Sequence, residues 1–153
     1  MSPSLALMLA CGALFAIAAT GGEGSLAPMR GVPSPAQAHN DYILKCQGCH
    51  RPDGSGNAAS NPPLTGKVAR FLAAPGGRDY LGRVSGVAST DLDDKRLAEL
   101  LNWTLYRFDR AHVPADFKPY DAAEIGRLRK APLRADASKT RADLLARLPG
   151  EKR

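Results

Sequence analysis

Apolar positions recur at helical spacing in several short windows of this chain. The strongest runs from Asp93 to Asp109, where Leu97, Leu100, Leu101, Thr104, Leu105 and Phe108 make one apolar stripe. Asp91, Asp93 and Asp94 sit at its start, where the helix dipole favours negative charge. Trp103 and Tyr106 lie off the stripe, at a ligand crevice or on the surface. A first helix is predicted over 39–50, with Tyr42, Ile43 and Cys46 on one side and Asn40 as its cap. A short helix over 67–73 turns Val68, Phe71 and Leu72 inward and stops at Pro75-Gly76-Gly77. A second short turn over 78–84 carries Tyr80 and Leu81. Asp121 and Glu124 make a capping-box-like start for a helix whose inward residues are Ile125 and Leu128. The last window, 138–148, is amphipathic through Leu144, Leu145 and Leu148, as a packed extra helix or a loosely attached one.

This pattern predicts an all-α fold, a small bundle of short helices. Residues 51–66 are a loop by their Gly, Pro, Ser and Asn content. The chain divides into a leader over 1–38, one domain over 39–130 and an extension over 131–153. The 153 residues include 15 Gly and 12 Pro, which suits long loops between helices, and only 6% aromatics. So modest a protein core leaves room for a buried cofactor.

Residues 4–20 are apolar and uncharged, like the central region of a secretory signal. Ala16-Ile17-Ala18 and Ala36-Gln37-Ala38 are two small-residue cleavage patterns. A basic segment ahead of the run is missing, so an uncleaved membrane anchor is the competing reading. Cleavage implies an exported, periplasmic protein with no stable membrane insertion. The formal net charge is +6, with Lys and Arg spread among acids. That excludes a dense nucleic-acid-binding tract and allows steering toward acidic partners.

Cys11 lies in the leader, which leaves Cys46 and Cys49, followed at once by His50. Cys46-Gln47-Gly48-Cys49-His50 reads as a c-type haem attachment motif. The two thiols add across the two haem vinyl groups, and two intervening residues on a helical turn set that separation. His50 then offers its imidazole to the iron. A redox dithiol of the thioredoxin kind would need a βαβ pattern, and none is seen nearby. Zinc would need further ligands, which only carboxylates or the other histidines could supply.

Tyr42 four residues before Cys46, the motif itself, and Asp53-Gly54-Ser55-Gly56 after it resemble the start of a class I monohaem cytochrome c. Pro62-Pro63-Leu64-Thr65-Gly66 resembles the loop on the proximal side of the haem. The resemblance implies one covalent haem c per chain and a backbone carbonyl that accepts a hydrogen bond from His50, matched to Pro63. It also implies that the last helix crosses the first.

The family's distal ligand is a Met on a Met-Pro loop before the last helix. Here Met1, Met8 and Met29 all precede the motif, and Val113-Pro114 stands in the matching place. His112 is the candidate second iron ligand, with an open or water-bound position, His39, Lys or Tyr as alternatives. Arg70, Arg78, Trp103 and Tyr120 are candidate partners of the haem propionates. The implied function is non-enzymatic electron transfer between a dehydrogenase and a terminal acceptor, through redox protein partners. The alternatives are a haem sensor or small peroxidase-like enzyme with an open distal site, and a tightly bound subunit of a larger enzyme.

Overall fold

The computed structural model describes residues 28–57 and 60–148. The apolar run, Met1, Met8 and Cys11 lie outside these. The described residues form seven α-helices and two short 3-10 turns, with no strand beyond two isolated bridges. None of these helices is long and apolar enough to cross a membrane.

Helix α1 spans Pro35–Lys45, four residues earlier than its sequence pattern suggests. Ser34, not Asn40, is the cap: its hydroxyl accepts from the Gln37 amide at 3.3 Å, and Pro35 takes the first helical position, where no N–H is needed. The helix breaks at Cys46, and a single further turn, α2, runs Gln47–His50. Ala38, Asp41 and Tyr42 face the core, at spacings of three and four. That rotation leaves Ile43 and Leu44 outward, at 42% and 72% exposure, so Ile43 is not an inward residue.

Helix α5, Asp94–Asp109, is the centre of the molecule. Asp93 caps it by accepting from the Arg96 amide at 2.8 Å. The expected stripe is buried, and Trp103 and Tyr106 are buried with it. A helix buried almost all round has neighbours on more than one side. Here α1 packs on α5, and so does α6, Ala122–Leu128. Trp103 stacks on His39 and tilts against Tyr42, each at 5.4 Å between centroids, filling the α1–α5 crossing. The helix that packs on α1 is therefore α5, rather than the one after Asp121.

Buried Asn102 of α5 ties the two ends of the fold together. Its amide donates to the Gly31 and Tyr120 carbonyls at 3.1 and 3.0 Å, and its carbonyl accepts from the Tyr120 amide at 2.9 Å. Arg30 donates to the Pro114 and Ala115 carbonyls at 3.2 and 2.8 Å, and Val32 and Ala38 are buried. Residues 29–38, placed in the leader by sequence, are thus built into the domain.

Helices α3, Gly77–Arg83, and α4, Ser85–Ala88, follow the 3-10 turn at Ala69–Ala73. Helix α7, Ala137–Leu145, packs on α3 with Leu144 and Leu148 buried. The link to it is fixed by the Leu133 amide on the Arg83 carbonyl at 2.7 Å and the Ser85 hydroxyl on the Leu133 carbonyl at 2.6 Å. Over its described residues, 131–148, the extension is a packed part of the fold.

Candidate haem site

The α1–α2 break places Cys46 at the start of one helical turn and Cys49 and His50 at its end. Arg51 leaves that turn with φ 65°, an uncommon conformation for a side-chain-bearing residue. Its carbonyl accepts from the Tyr42 hydroxyl at 2.6 Å. Tyr42 also packs on Phe108 at 5.0 Å. The aromatic four residues before the first Cys thus clamps the exit of the motif to α1 and α5.

The loop after the motif is closed by its own backbone. Gly56 donates to the His50 carbonyl at 3.1 Å, and Asn57 donates to the Asn61 carbonyl at 2.7 Å. Gly56 has φ 60°, and a Cβ there would lie 2.1 Å from the Asn61 carbonyl oxygen. The Asp53 carboxylate accepts from the Ser55 amide at 3.0 Å, which holds its pKa below the usual carboxylate range. This closure brings residues 60–64 back beside His50.

A cavity of about 360 Å³ opens there, within the range of small-molecule and cofactor sites. Cys46, Cys49 and His50 line it together with Pro62, Pro63 and Leu64. Val68, Phe71, Leu81, Leu97, Leu100 and Leu101 supply apolar wall. Helix α4 contributes Gly86 and Val87, and α7 contributes Ala137, Ser138 and Arg141.

Burial lowers the pKa of His50, so the neutral imidazole that can donate a lone pair to a metal is favoured; the Pro62 carbonyl works in the opposite direction. Nδ1 is nevertheless buried with no hydrogen bond of normal geometry. Neither the Pro62 nor the Pro63 carbonyl gives this nitrogen a hydrogen bond, although both prolines line the cavity. Burial likewise raises the Cys46 thiol to about 11, with the neighbouring Cys49 adding to it. Both cysteines are free thiols. An apolar cavity whose wall carries two thiols and an imidazole with a buried Nδ1 that has no hydrogen-bond partner fits a haem c. It fits zinc poorly: among the described residues no group of three or more His, Cys, Asp or Glu side chains converges as a metal cluster.

His112 does not line this cavity. It sits in the 3-10 turn Arg110–His112 after α5, and its Nδ1 lies 2.5 Å from Asp109 Oδ1. Val113-Pro114 lies on that same side, where Pro114 accepts from Arg30. His39 is engaged with Trp103. Of the propionate candidates, Arg78 pairs with both Glu124 carboxylate oxygens at 2.6 Å and lies 4.1 Å over the Tyr120 ring. Tyr120 and Trp103 are core residues, and Arg70 is not on the cavity wall. Arg141 and Lys45, the basic side chains that do line it, carry no helical-period or motif signal. Only the packing of α7 and α1 reveals them.

A helical domain with this cavity and this cysteine pair defines a small protein built to hold a covalent haem. Two relatives carry the identification further. A cytochrome c-552 of Thermus thermophilus is 35% identical over 113 residues, 61% of this chain and 76% of the relative. A second cytochrome c-552 of the same species is 35% identical over 103 residues, 56% of this chain and 79% of the relative. No protein-family model matches the chain. The chain belongs to the c-type cytochromes, in the family of these cytochromes c-552.

Proposed function

We propose that Cys46 and Cys49 hold one haem c by thioether bonds, that His50 is its proximal iron ligand, and that the chain carries single electrons between an exported dehydrogenase and a terminal acceptor. The observation that carries this is the meeting of both thiols and the half-buried His50 ring, its Nδ1 fully enclosed, on one apolar cavity. Each thiol adds its S–H across one vinyl double bond, with no net change of oxidation state. The haem supplies the one-electron couple. The residues around it exclude water and orient His50, the means by which a protein tunes such a couple. Electron transfer needs no nucleophile or base, so the protein acts as a carrier rather than an enzyme.

The apolar run over 4–20 supports export with cleavage ahead of residue 29, because later cleavage would remove Arg30 and the Ser34 cap. The net charge of +6 supports docking on acidic redox proteins.

The chain produced together with a haem-attachment system should show haem staining after denaturing electrophoresis and a reversible one-electron redox titration. Cys46→Ala and Cys49→Ala should each remove one thioether. A protein that loses all haem on denaturation would overturn the attachment.

A further inference from the structure

We propose that the protein leaves the second axial position of the haem iron free, as a binding site for a small exogenous ligand: a neutral diatomic gas on ferrous iron, a small anion on ferric iron. This rests on His50 holding the iron from the other side. The segment running into α5, the helix packed on α1, is 84–93, and it contains no Met, His, Cys or Lys. Val84, Gly86, Val87 and Thr90 of that segment line the cavity. Among the described residues on the whole wall, no Met and no second His occurs. Met29 packs against the core elsewhere, and His112 is bound to Asp109. Lys45 is the one other strong nitrogen donor there. Its ammonium is engaged by the Asp91 carboxylate at 2.7 and 3.0 Å.

Two polar groups on the wall suit an incoming ligand. Thr90 Oγ1 is buried and has no hydrogen-bond partner, a costly state unless something in the cavity satisfies it. The Arg141 guanidinium lies 5.8 Å over the Phe71 ring and makes no ion pair with a described residue. A hydroxyl donor and a cation beside an apolar cavity match a small polar or anionic iron ligand.

The test uses the haem-loaded full chain. The ferric spectrum should be high-spin. Carbon monoxide should bind the dithionite-reduced protein within mixing time, at one per haem. Azide should bind the ferric form, and its dissociation constant should rise about fivefold in Thr90→Val, one lost hydrogen bond, and about tenfold in Arg141→Gln, one lost charge-assisted bond. A low-spin spectrum in both oxidation states, with no carbon monoxide uptake, overturns the proposal; if Lys45→Ala then turns the iron high-spin, Lys45 is the ligand. Azide affinities unchanged in both variants overturn the roles of Thr90 and Arg141. A reversible redox titration on the same sample separates these failures from failure of the electron-transfer reading.

Discussion

His112 bonds through Nδ1 to Oδ1 of Asp109 at 2.5 Å, and the other oxygen of that buried carboxylate accepts from the Ala69 amide at 2.8 Å. The pair joins the end of α5 to the 3-10 turn at Ala69–Ala73. It gives the one histidine beyond the motif on the loop after α5 a structural partner.

His112→Ala is therefore expected to leave the spin state of the haem unchanged. It should lower stability by about 1 kcal/mol, the loss of one partner of a buried carboxylate. Optical spectra and urea midpoints read the two effects separately. A switch from low-spin to high-spin iron in this variant would make His112 a ligand after all.

Gly56→Ala should cost several kcal/mol. The position needs φ 60°, and the new Cβ would meet the Asn61 carbonyl at 2.1 Å, backbone that has no easy way to yield. Since this loop returns residues 60–64 to His50, the haem-loaded yield should fall along with the thermal midpoint. Normal stability would show that the loop closes in another way.

The α1–α5 crossing is pinned by Asp41, which is buried and receives both Nε and Nη2 of Arg96. Arg96→Met keeps the aliphatic length but removes the charged partner, leaving the buried carboxylate only the Gln37 Nε2 donor at 3.1 Å. A measurable loss of stability is expected, because a buried carboxylate loses its charged donors. Adding Asp41→Asn should recover part of it; no recovery would argue against a stranded charge.

Alkaline pH should weaken the fold. Burial raises Tyr42 to about 12, with smaller additions from Cys46 and Asp53 and opposition from Arg107. The Cys46 part disappears once that sulfur is a thioether. Burial also raises Tyr120, against the opposing Arg78 guanidinium. The unfolded phenols ionise near pH 10, so above it the folded state binds more protons than the unfolded one. Their stabilisation is complete below about pH 10 and is lost as pH rises toward the folded values. Urea midpoints across that window should fall, and Tyr42→Phe should flatten the fall. A slope identical in wild type and variant would assign it elsewhere.

Association with an acidic redox partner should slow as salt is added, since the net charge of +6 acts over a Debye length of about 8 Å at physiological ionic strength. Stopped-flow rates that ignore ionic strength would remove steering from the proposal.

The central helix and the haem motif are legible in the chain's local patterns. A stripe of six residues and a Cys-x-x-Cys-His string are signals written within a few helical turns. The Asp93 and Asp121 regions likewise carry their helix starts in plain view. The first helix begins earlier than its apolar pattern because Ser34 and Pro35 outweigh Asn40 as a start. Ile43 faces outward although it shares the helical period of Tyr42, because periodicity alone does not say which face meets a neighbour.

By itself, the amino-acid sequence determined the class, a helical c-type cytochrome, and marked residues 46–50 as the segment proposed to attach the haem. Only the tertiary structure decided what stands around it. It moved His112 and Val113-Pro114 away from the cavity, gave Arg78 to Glu124 rather than to a ligand, and brought α4 and the C-terminal α7 to the wall. Attachment chemistry needs residues close in sequence, so it leaves a motif. The walls of a cavity are assembled by long-range packing of α5 against its neighbours, and nothing in a single stretch of chain records which residues will meet there.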